Sequence, residues 1–425
     1  MLDIQYIRNN IEEVKKNCVN RRVNVDIDSL LLLDTEVRTL TQGLDAARAA
    51  KNANAEAIQK APKEEKLQYV EKGKELKEQI ANLETQTEAV RGRFLDLLMQ
   101  VPNRTHPDSP VGTDDTQNKE ISRFKEPTQF TFTPKDHVTL GQELDILDFE
   151  TGAKVSGRGF YYLKNEAALL ELALIQYAMS VCVKHGYTPM LTPDLARQEI
   201  LMGTGYQPRG DETQIYSIEG TDLSLIATAE ITVAGYYRDH TFAQGELEKP
   251  KKIVALSHCF RTEAGAYGKE SRGLYRVHQF SKVEMFIFCA PEQSDTLHEE
   301  LRQIEEEIAQ GLGFPYHVVD ICTGDLGGPA YRKYDLEAWM PMKNDWGEIT
   351  STSNCTDFQA RRLNIKHVNA EGKKEYVHTL NGTAVALSRT PIAILENYQN
   401  ADGTITIPEV LRPFMGGVEK ILPKK

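Results

Sequence analysis

Residues 258–288 of this 425-residue chain read HCFRTEAGAYGKESRGLYRVHQFSKVEMFIF. Arg261 and Glu263 stand two apart at the end of a β-rich segment around residues 253–261. Arg272, Arg276, His278 and Glu284 follow, the last inside a second β-rich segment around residues 279–288. Two such segments flanking a loop dense in Gly, Ser, Arg and Lys predict a long hairpin whose loop folds over a bound anion. Residues two apart on a strand share a face, so Arg261 and Glu263 are expected to point at one ligand. A guanidinium grips phosphate through paired N–H donors and a carboxylate accepts from an amine, a combination that suits a nucleotide. Taken alone, a neighbouring Arg and Glu are most often a solvated surface pair. That reading leaves the other charged residues of the same hairpin unexplained.

The stretch resembles motif 2 of the class II aminoacyl-tRNA synthetases, in the wording of the bacterial-type seryl-tRNA synthetase family. The resemblance extends over essentially the whole chain. It implies activation of L-serine by ATP to seryl-adenylate, then transfer to the 3′ end of tRNA(Ser), and of tRNA(Sec) where the organism has one. Activation is an in-line attack of a carboxylate on the α-phosphate. The nucleophile arrives ionised, so the step needs no general base; it needs cations on the phosphates and a mould that aligns the reactants. The sequence agrees in what it omits. It contains no G-x-S-x-G, no H-E-x-x-H, no spaced Cys/His pair, no G-x-G-x-x-G opening a βαβ unit and no P-loop.

The resemblance also implies roles, position by position. Arg261 would bind the α-phosphate and Glu263 the adenine amine, with Thr262 between them in the same ATP-binding run. In EITSTSNCTDFQARR, Glu348 and Ser351 would hold Mg²⁺ between phosphates, with Ile349 and Thr350 in the same ATP segment; hard oxygen ligands suit that ion. Arg389, in TLNGTAVALSRTPIAILENYQ, would clamp the γ-phosphate, making Arg261 and Arg389 the expected catalytic pair. Serine contacts would come from Thr228, Ala229 and Glu230 in the run ATAE, and from Arg261, Glu284, Asn354 and Thr383. Glu284 would accept from the substrate hydroxyl and Glu230 from its ammonium. A site that hydrogen-bonds the hydroxyl rejects analogues lacking it, because its own groups would be left unpaired. The Glu284 pattern implies a serine site without zinc. Where the family commonly reads Asn-Gly-Ser-Gly, this chain has Asn381, Gly382, Thr383 and Ala384, and Ser388 stands where glycine is common. Both are mild increases in volume at the pocket.

The elements that must position these residues fall into two parts. Residues 1–20 read as one amphipathic helix with Ile4, Ile7, Ile11 and Val14 on a stripe. A longer helix is expected from an N-cap at Asp28-Ser29, with a heptad seam running Leu30, Leu33, Val37, Leu40, Leu44, Ala47, Lys51, Asn54 and Ile58 until Pro62 breaks it. The return leg carries Leu76, Ile80, Leu83, Thr87, Val90, Phe94 and Leu97. Two such seams joined by a short turn fold into an antiparallel coiled coil, about 45 Å long for roughly thirty residues per leg. Such a hairpin alone is most often an oligomerisation element. Lys51, Lys60, Lys63, Lys66, Lys72, Lys74 and Lys77 cluster towards its tip, where they could meet phosphates. In the family that the chain resembles, an arm of this kind holds the tRNA.

The expected division is a tRNA-binding domain over residues 1–105, a linker over 106–135 that is rich in Pro, Asn and Asp, and a catalytic domain over 136–425. In the last part a strong apolar helix from about Asn165 to His185 runs into an extended stretch with Pro193, the form of the family's motif 1, which builds its homodimer. Strands in hairpins with helices segregated around them predict α+β architecture on an antiparallel sheet. The net charge of −12 argues against a general polyanion binder but allows a local basic face. The six cysteines form no C-x-x-C pair and read as reduced core residues. No run of eighteen apolar residues and no signal-like start predict a cytoplasmic protein without a membrane span. Three rival readings meet opposing residues: a paralogue that has lost catalysis and keeps the arm or the dimer, a ligase charging a carrier protein, and a coiled-coil scaffold. Arg261, Glu263, Glu348 and Arg389 oppose the first, the long arm the second, and the length of chain beyond the arm the third.

Overall fold

The computed structural model describes residues 1–206, 215–263 and 273–424. Arg272 and most of the expected hairpin loop lie outside them. The chain forms two compact units, Met1–Pro102 and Asn103–Lys425.

The first unit is helical: α1 (Ile4–Asn9), α2 (Ile11–Asn20), α3 (Ile27–Lys60) and α4 (Lys66–Gln100). The single opening helix expected from its apolar stripe is in fact two. The backbone leaves the helical region at Asn10 (φ −135°, ψ 43°), whose side-chain amide donates to the Tyr6 carbonyl at 2.9 Å. The α3 cap also lies earlier than expected, because the Asp26 carboxylate takes the Ser29 N–H at 2.9 Å and its hydroxyl at 2.6 Å. Helix α3 stops at Ala61, which is extended (ψ 145°) ahead of Pro62 as proline requires of its predecessor. Ile7, Val14, Cys18, Ile27, Leu30 and Leu98 form a small core at the base of the hairpin. Arg8 grips buried Asp34 through two bonds of 2.7 and 2.6 Å.

Helices α3 and α4 pair along much of the expected seam, with Leu44, Ala47, Leu76, Ile80, Thr87 and Val90 buried. Lys51 is exposed, and Asn54 is the buried residue near the tip. Its amide donates to the Tyr69 carbonyl at 2.8 Å. Gly73 makes that approach possible, since a Cβ there would stand 3.2 Å from the Asn54 amide nitrogen. A buried polar contact within the seam fixes which residues face each other. Asn54→Ala should therefore weaken the outer half of the arm by about 1 kcal/mol. Amide hydrogen exchange should speed up around residues 50–76 and stay unchanged near Leu30 and Leu98.

The second unit is built on one eight-stranded sheet. Counting only its strands, these are β1 (Lys119–Phe124), β2 (Thr188–Leu191), β3 (Lys251–Phe260), β4 (Gln279–Cys289), β5 (Tyr316–Asp320), β6 (Arg332–Met340), β7 (Asp345–Thr356) and β8 (His378–Ala386). Their spatial order is β1-β5-β6-β7-β8-β4-β3-β2, antiparallel throughout except for β2 beside β3. Strand β1, inside the stretch expected to be a linker, forms one edge. Two helices, α5 (Asn165–Lys184) and α7 (Ser294–Leu312), cover one face, while α6 (Ala229–Tyr236) and α8 (Phe358–Leu363) pack on the other; α9 (Thr390–Asn397) follows β8.

Strand β4 shows how the sheet serves both faces. Val283, Met285, Ile287 and Cys289 enter the core under α5 and α7, while Phe286 and Phe288 enter the core under α6 and α8. Lys282 and Glu284 continue the second row, because side chains two apart share a face. The polar site is thus an extension of a core face. Helix α5 is long and apolar enough by composition to cross a membrane, yet Leu170, Ala173, Leu174, Ala178 and Val181 lie in the sheet's core.

Candidate active site

Three cavities line up along the second face, sharing residues at their borders. The first, of about 380 Å³, is bordered by Glu230, Arg261, Lys282, Glu284, Asn381 and Thr383 among others. The second, of about 70 Å³, lies between Arg261, Glu263, Phe280, Glu348, Ser351 and Arg389. The third, about 630 Å³, opens beyond Glu348 and Arg389 and is lined by Asp335, Glu337 and His317. Arg261 borders the first and second, so its guanidinium stands where one ligand would meet the next.

Arg261 follows the end of β3 and is tied to the second strand of the hairpin. Its N–H donates to the His278 carbonyl at 3.0 Å, and its own carbonyl lies 2.9 Å from His278 Nδ1. Its guanidinium rests over the Phe280 ring, 5.3 Å from the centroid. Thr262 comes next. The expectation that Arg261 and Glu263 share a strand face does not hold, since β3 ends at Phe260 and Glu263 has φ +50°. Glu263 reaches the cavity by that left-handed turn, with Arg276 3.4 Å from its carboxylate.

The remaining expected residues come from α6, β4, β7 and β8. Thr228 caps α6, its hydroxyl accepting from the Glu230 N–H at 3.3 Å. Ala229 is buried in the core beneath. Glu230 is enclosed, and its Oε1 accepts from Gln359 at 2.6 Å and from Asn381 at 3.0 Å. Burial, then the nearby charge of Glu284, pushes its carboxyl up to about 7. Thr383 stands opposite Glu284 across β8 and β4 and donates to its Oε2 at 3.2 Å. Ala384 and Ser388, the bulkier substitutes noted in the sequence, are both buried.

On β7, Ser351, Ser353 and Cys355 line the first cavity. Asn354, expected among the serine contacts, is not brought there. Alternation turns it to the opposite face, where its amide donates to Asp295 at 3.1 Å and its oxygen accepts from the Thr356 N–H at 2.9 Å. Ile349, buried against the core, and Thr350, which donates to buried Glu305 at 3.1 Å, line the second cavity together with Glu348 and Ser351. Arg389 donates to both the carbonyl and the carboxylate of Glu348, each at 3.0 Å, and lies over Tyr275, 4.7 Å from its centroid. Burial alone would raise the Glu348 carboxyl, but Lys333, then Arg389 and Arg261, hold it well below the usual carboxylate range. Asp335 shifts the other way, pushed up by burial despite Lys333 at 2.8 Å.

The sequence assigns no role to Gln359, Lys282 or Lys333, and for Asn381 it shows only a place in the motif. Each is an ordinary polar residue inside a motif, and only partner distances show its place. Gln359 ties three elements together: its amide donates to Glu230 and to the Thr204 carbonyl, and its oxygen accepts from Thr379.

A wide antiparallel sheet carrying arginines and carboxylates on one face, with no P-loop, defines a class II aminoacyl-tRNA synthetase core. Residues 215–398 match the tRNA synthetase class II core domain (G, H, P, S and T), and residues 1–105 match the seryl-tRNA synthetase N-terminal domain. The chain is 53% identical over 419 residues to the serine–tRNA ligase of Treponema denticola, covering 98% of this chain and 99% of that protein. It is 54% identical to that of Rubrobacter xylanophilus, covering 98% of each. The structure of Pyrococcus horikoshii seryl-tRNA synthetase complexed with ATP superposes with a TM-score of 0.90 at 40% identity, over 100% of both chains. The chain belongs to the seryl-tRNA synthetase family, a family of ATP-dependent serine–tRNA ligases.

Gln359→Leu removes the donor from a buried carboxyl and leaves the Thr204 carbonyl unpaired. It should cost about 2–3 kcal/mol of stability, measured as a lower denaturation midpoint.

Proposed function

We propose that the first cavity binds L-serine, that the second, continued by the third with which it shares Tyr275, Glu348 and Arg389, binds ATP, and that the protein joins them as seryl-adenylate before passing serine to the 3′ end of tRNA(Ser), or of tRNA(Sec) where present. The observation that carries this reading is the position of Arg261 on the border of the first and second cavities. The serine carboxylate oxygen attacks the α-phosphorus, and the bond to pyrophosphate breaks. Arg261 holds the α-phosphate and screens it from the incoming carboxylate, which would otherwise repel it. Glu230 receives the ammonium, and Glu284 with Thr383 receives the hydroxyl. Glu263 accepts from the adenine amine and Arg389 holds the γ-phosphate. A hydroxyl at the tRNA end then attacks the carbonyl carbon, and AMP leaves.

Glu348 and Ser351 fit Mg²⁺: an ionised carboxylate and a hydroxyl face one cavity. Such an ion would take its remaining ligands from the substrate phosphates. When bound, Mg²⁺ would neutralise phosphate charge and orient the leaving pyrophosphate. We read serine recognition as carboxylate- and hydroxyl-based, without zinc. The arm over residues 1–105 would hold tRNA, with the exposed lysines near its tip on phosphates. Six buried cysteines without disulfides suit a reducing compartment such as the cytoplasm.

The same reading includes a homodimer. Leu169 and Leu172 on α5 and Leu191 on edge strand β2 are 45%, 55% and 77% exposed, an apolar surface that a second copy would cover. Leu172→Glu should convert the protein to a monomer on size-exclusion chromatography with light scattering, without lowering helix content.

ATP–pyrophosphate exchange without tRNA tests the activation step. It should depend on serine and be absent with alanine; no exchange with any amino acid, from folded protein with Mg²⁺, would favour a non-catalytic paralogue. The Glu230 shift adds a pH dependence. A carboxyl raised to about 7 holds a proton in the empty folded site that the unfolded chain releases near 4.5, so this group costs stability as pH rises between the two. Serine's ammonium requires the ionised form, so the KM for serine should rise as pH falls below about 7, by up to about tenfold per pH unit. The KM for ATP should not follow it.

A further inference from the structure

Lys282 has no part in the reaction just described, yet it borders both the first and the second cavity, with its ammonium turned to Glu284 of the first. Lys282 and Glu284 are two apart on β4 and share its polar face. The ammonium is 2.6 Å from Glu284 Oε2, and the two side chains are 9% and 3% exposed. The Thr383 hydroxyl donates to the same oxygen. Both of these contacts fall on Oε2, which leaves Oε1 facing the ligand side.

The charges of the cavity argue for more than packing. Glu230 and Glu284 are two enclosed carboxylates on one ligand site. A buried carboxylate without a counter-charge is costly and takes up a proton or a cation. Serine brings a single ammonium, which can balance one of the two. Arg261 is engaged by the carboxyl or phosphate end. Lys282 supplies the balance for Glu284, which then meets its ligand as an already compensated acceptor. Such an acceptor suits a neutral hydroxyl. An uncompensated carboxylate in the same place would favour a second cation.

We propose that Lys282 is a specificity-determining positioning residue: by pairing with Glu284 Oε2 it turns Oε1 to the ligand and makes the site select a neutral hydroxyl over an amine at the serine side chain. This rests on the serine reading of the first cavity. The discriminating ligand is 2,3-diaminopropionate, which replaces the serine hydroxyl by an amine of nearly the same size.

The test is ATP–pyrophosphate exchange by the full-length wild type, Lys282→Met, Lys282→Gln and Lys282→Arg, each with serine and with 2,3-diaminopropionate at pH 7. Lys282→Met should lower kcat/KM for serine by about 100-fold, raise the diaminopropionate-to-serine ratio at least about tenfold, and leave the KM for ATP within about twofold. Lys282→Arg, which keeps the charge, should hold the wild-type ratio. Lys282→Gln keeps a donor without the charge and should shift the ratio as Met does, which serves if the Met variant does not fold. An unchanged ratio in a folded neutral variant, or equal losses for serine and ATP, overturns the proposal. If the wild type itself shows no exchange with serine, the underlying serine reading fails; if it does and the ratio stays fixed, only the role of Lys282 fails.

Discussion

The central strands β4, β7 and β8 turn one row of side chains to the core beneath α5 and α7 and the other to a second core or to the cavities, and the site follows from that constraint. A polar side chain buried in the second row must find partners among its neighbours. Glu284 finds Lys282 and Thr383; Glu230 finds Gln359 and Asn381. These partners fix the rotamers before any ligand arrives, which is what alignment of two reactants demands. The bonds that satisfy these buried groups are the same ones that aim them at the cavity.

Identical carboxyl chemistry is then put to different uses by environment. Glu230 is enclosed with another carboxylate nearby, and its proton leaves only near neutrality. Glu348 is less enclosed, and Lys333, Arg389 and Arg261 keep it ionised. Two groups of one type pushed apart in this way mark separate duties. The ionised one suits a cation shared with phosphates, and the titrating one suits a ligand that brings its own positive charge.

Much of this was legible in the sequence. The hairpin strands, the apolar helix at Asn165 and the two-legged arm are long, periodic elements, and the structure has all of them. Details set by single backbone turns were not legible. Asn10 and Asp26 move helix ends by capping choices that several nearby polar residues could have made. Glu263 enters the site through a left-handed residue that strand alternation does not foresee. Asn354 shows the opposite case: counting faces along β7 would have placed it with Thr352 and away from Ser351, but motif resemblance carries no account of which way a residue points. Gln359 and Lys282 escaped notice because their importance lies in who they touch across 129 residues of sequence or one strand turn.

The position of β8 has a consequence for how the protein is made. The arm is held by contacts local in sequence and can form as soon as its two legs leave the ribosome. The sheet cannot. Strand β8 is the last of the eight in the chain, yet it lies between β7 and β4. Until it inserts, the hairpin of β3 and β4 and the ladder of β5, β6 and β7 are separate pieces with exposed edges. Asn381 and Thr383 arrive with it. The nascent chain therefore has no formed substrate cavity until its final strand is in place, and a truncated product carries two unsealed sheet edges in place of a partial enzyme.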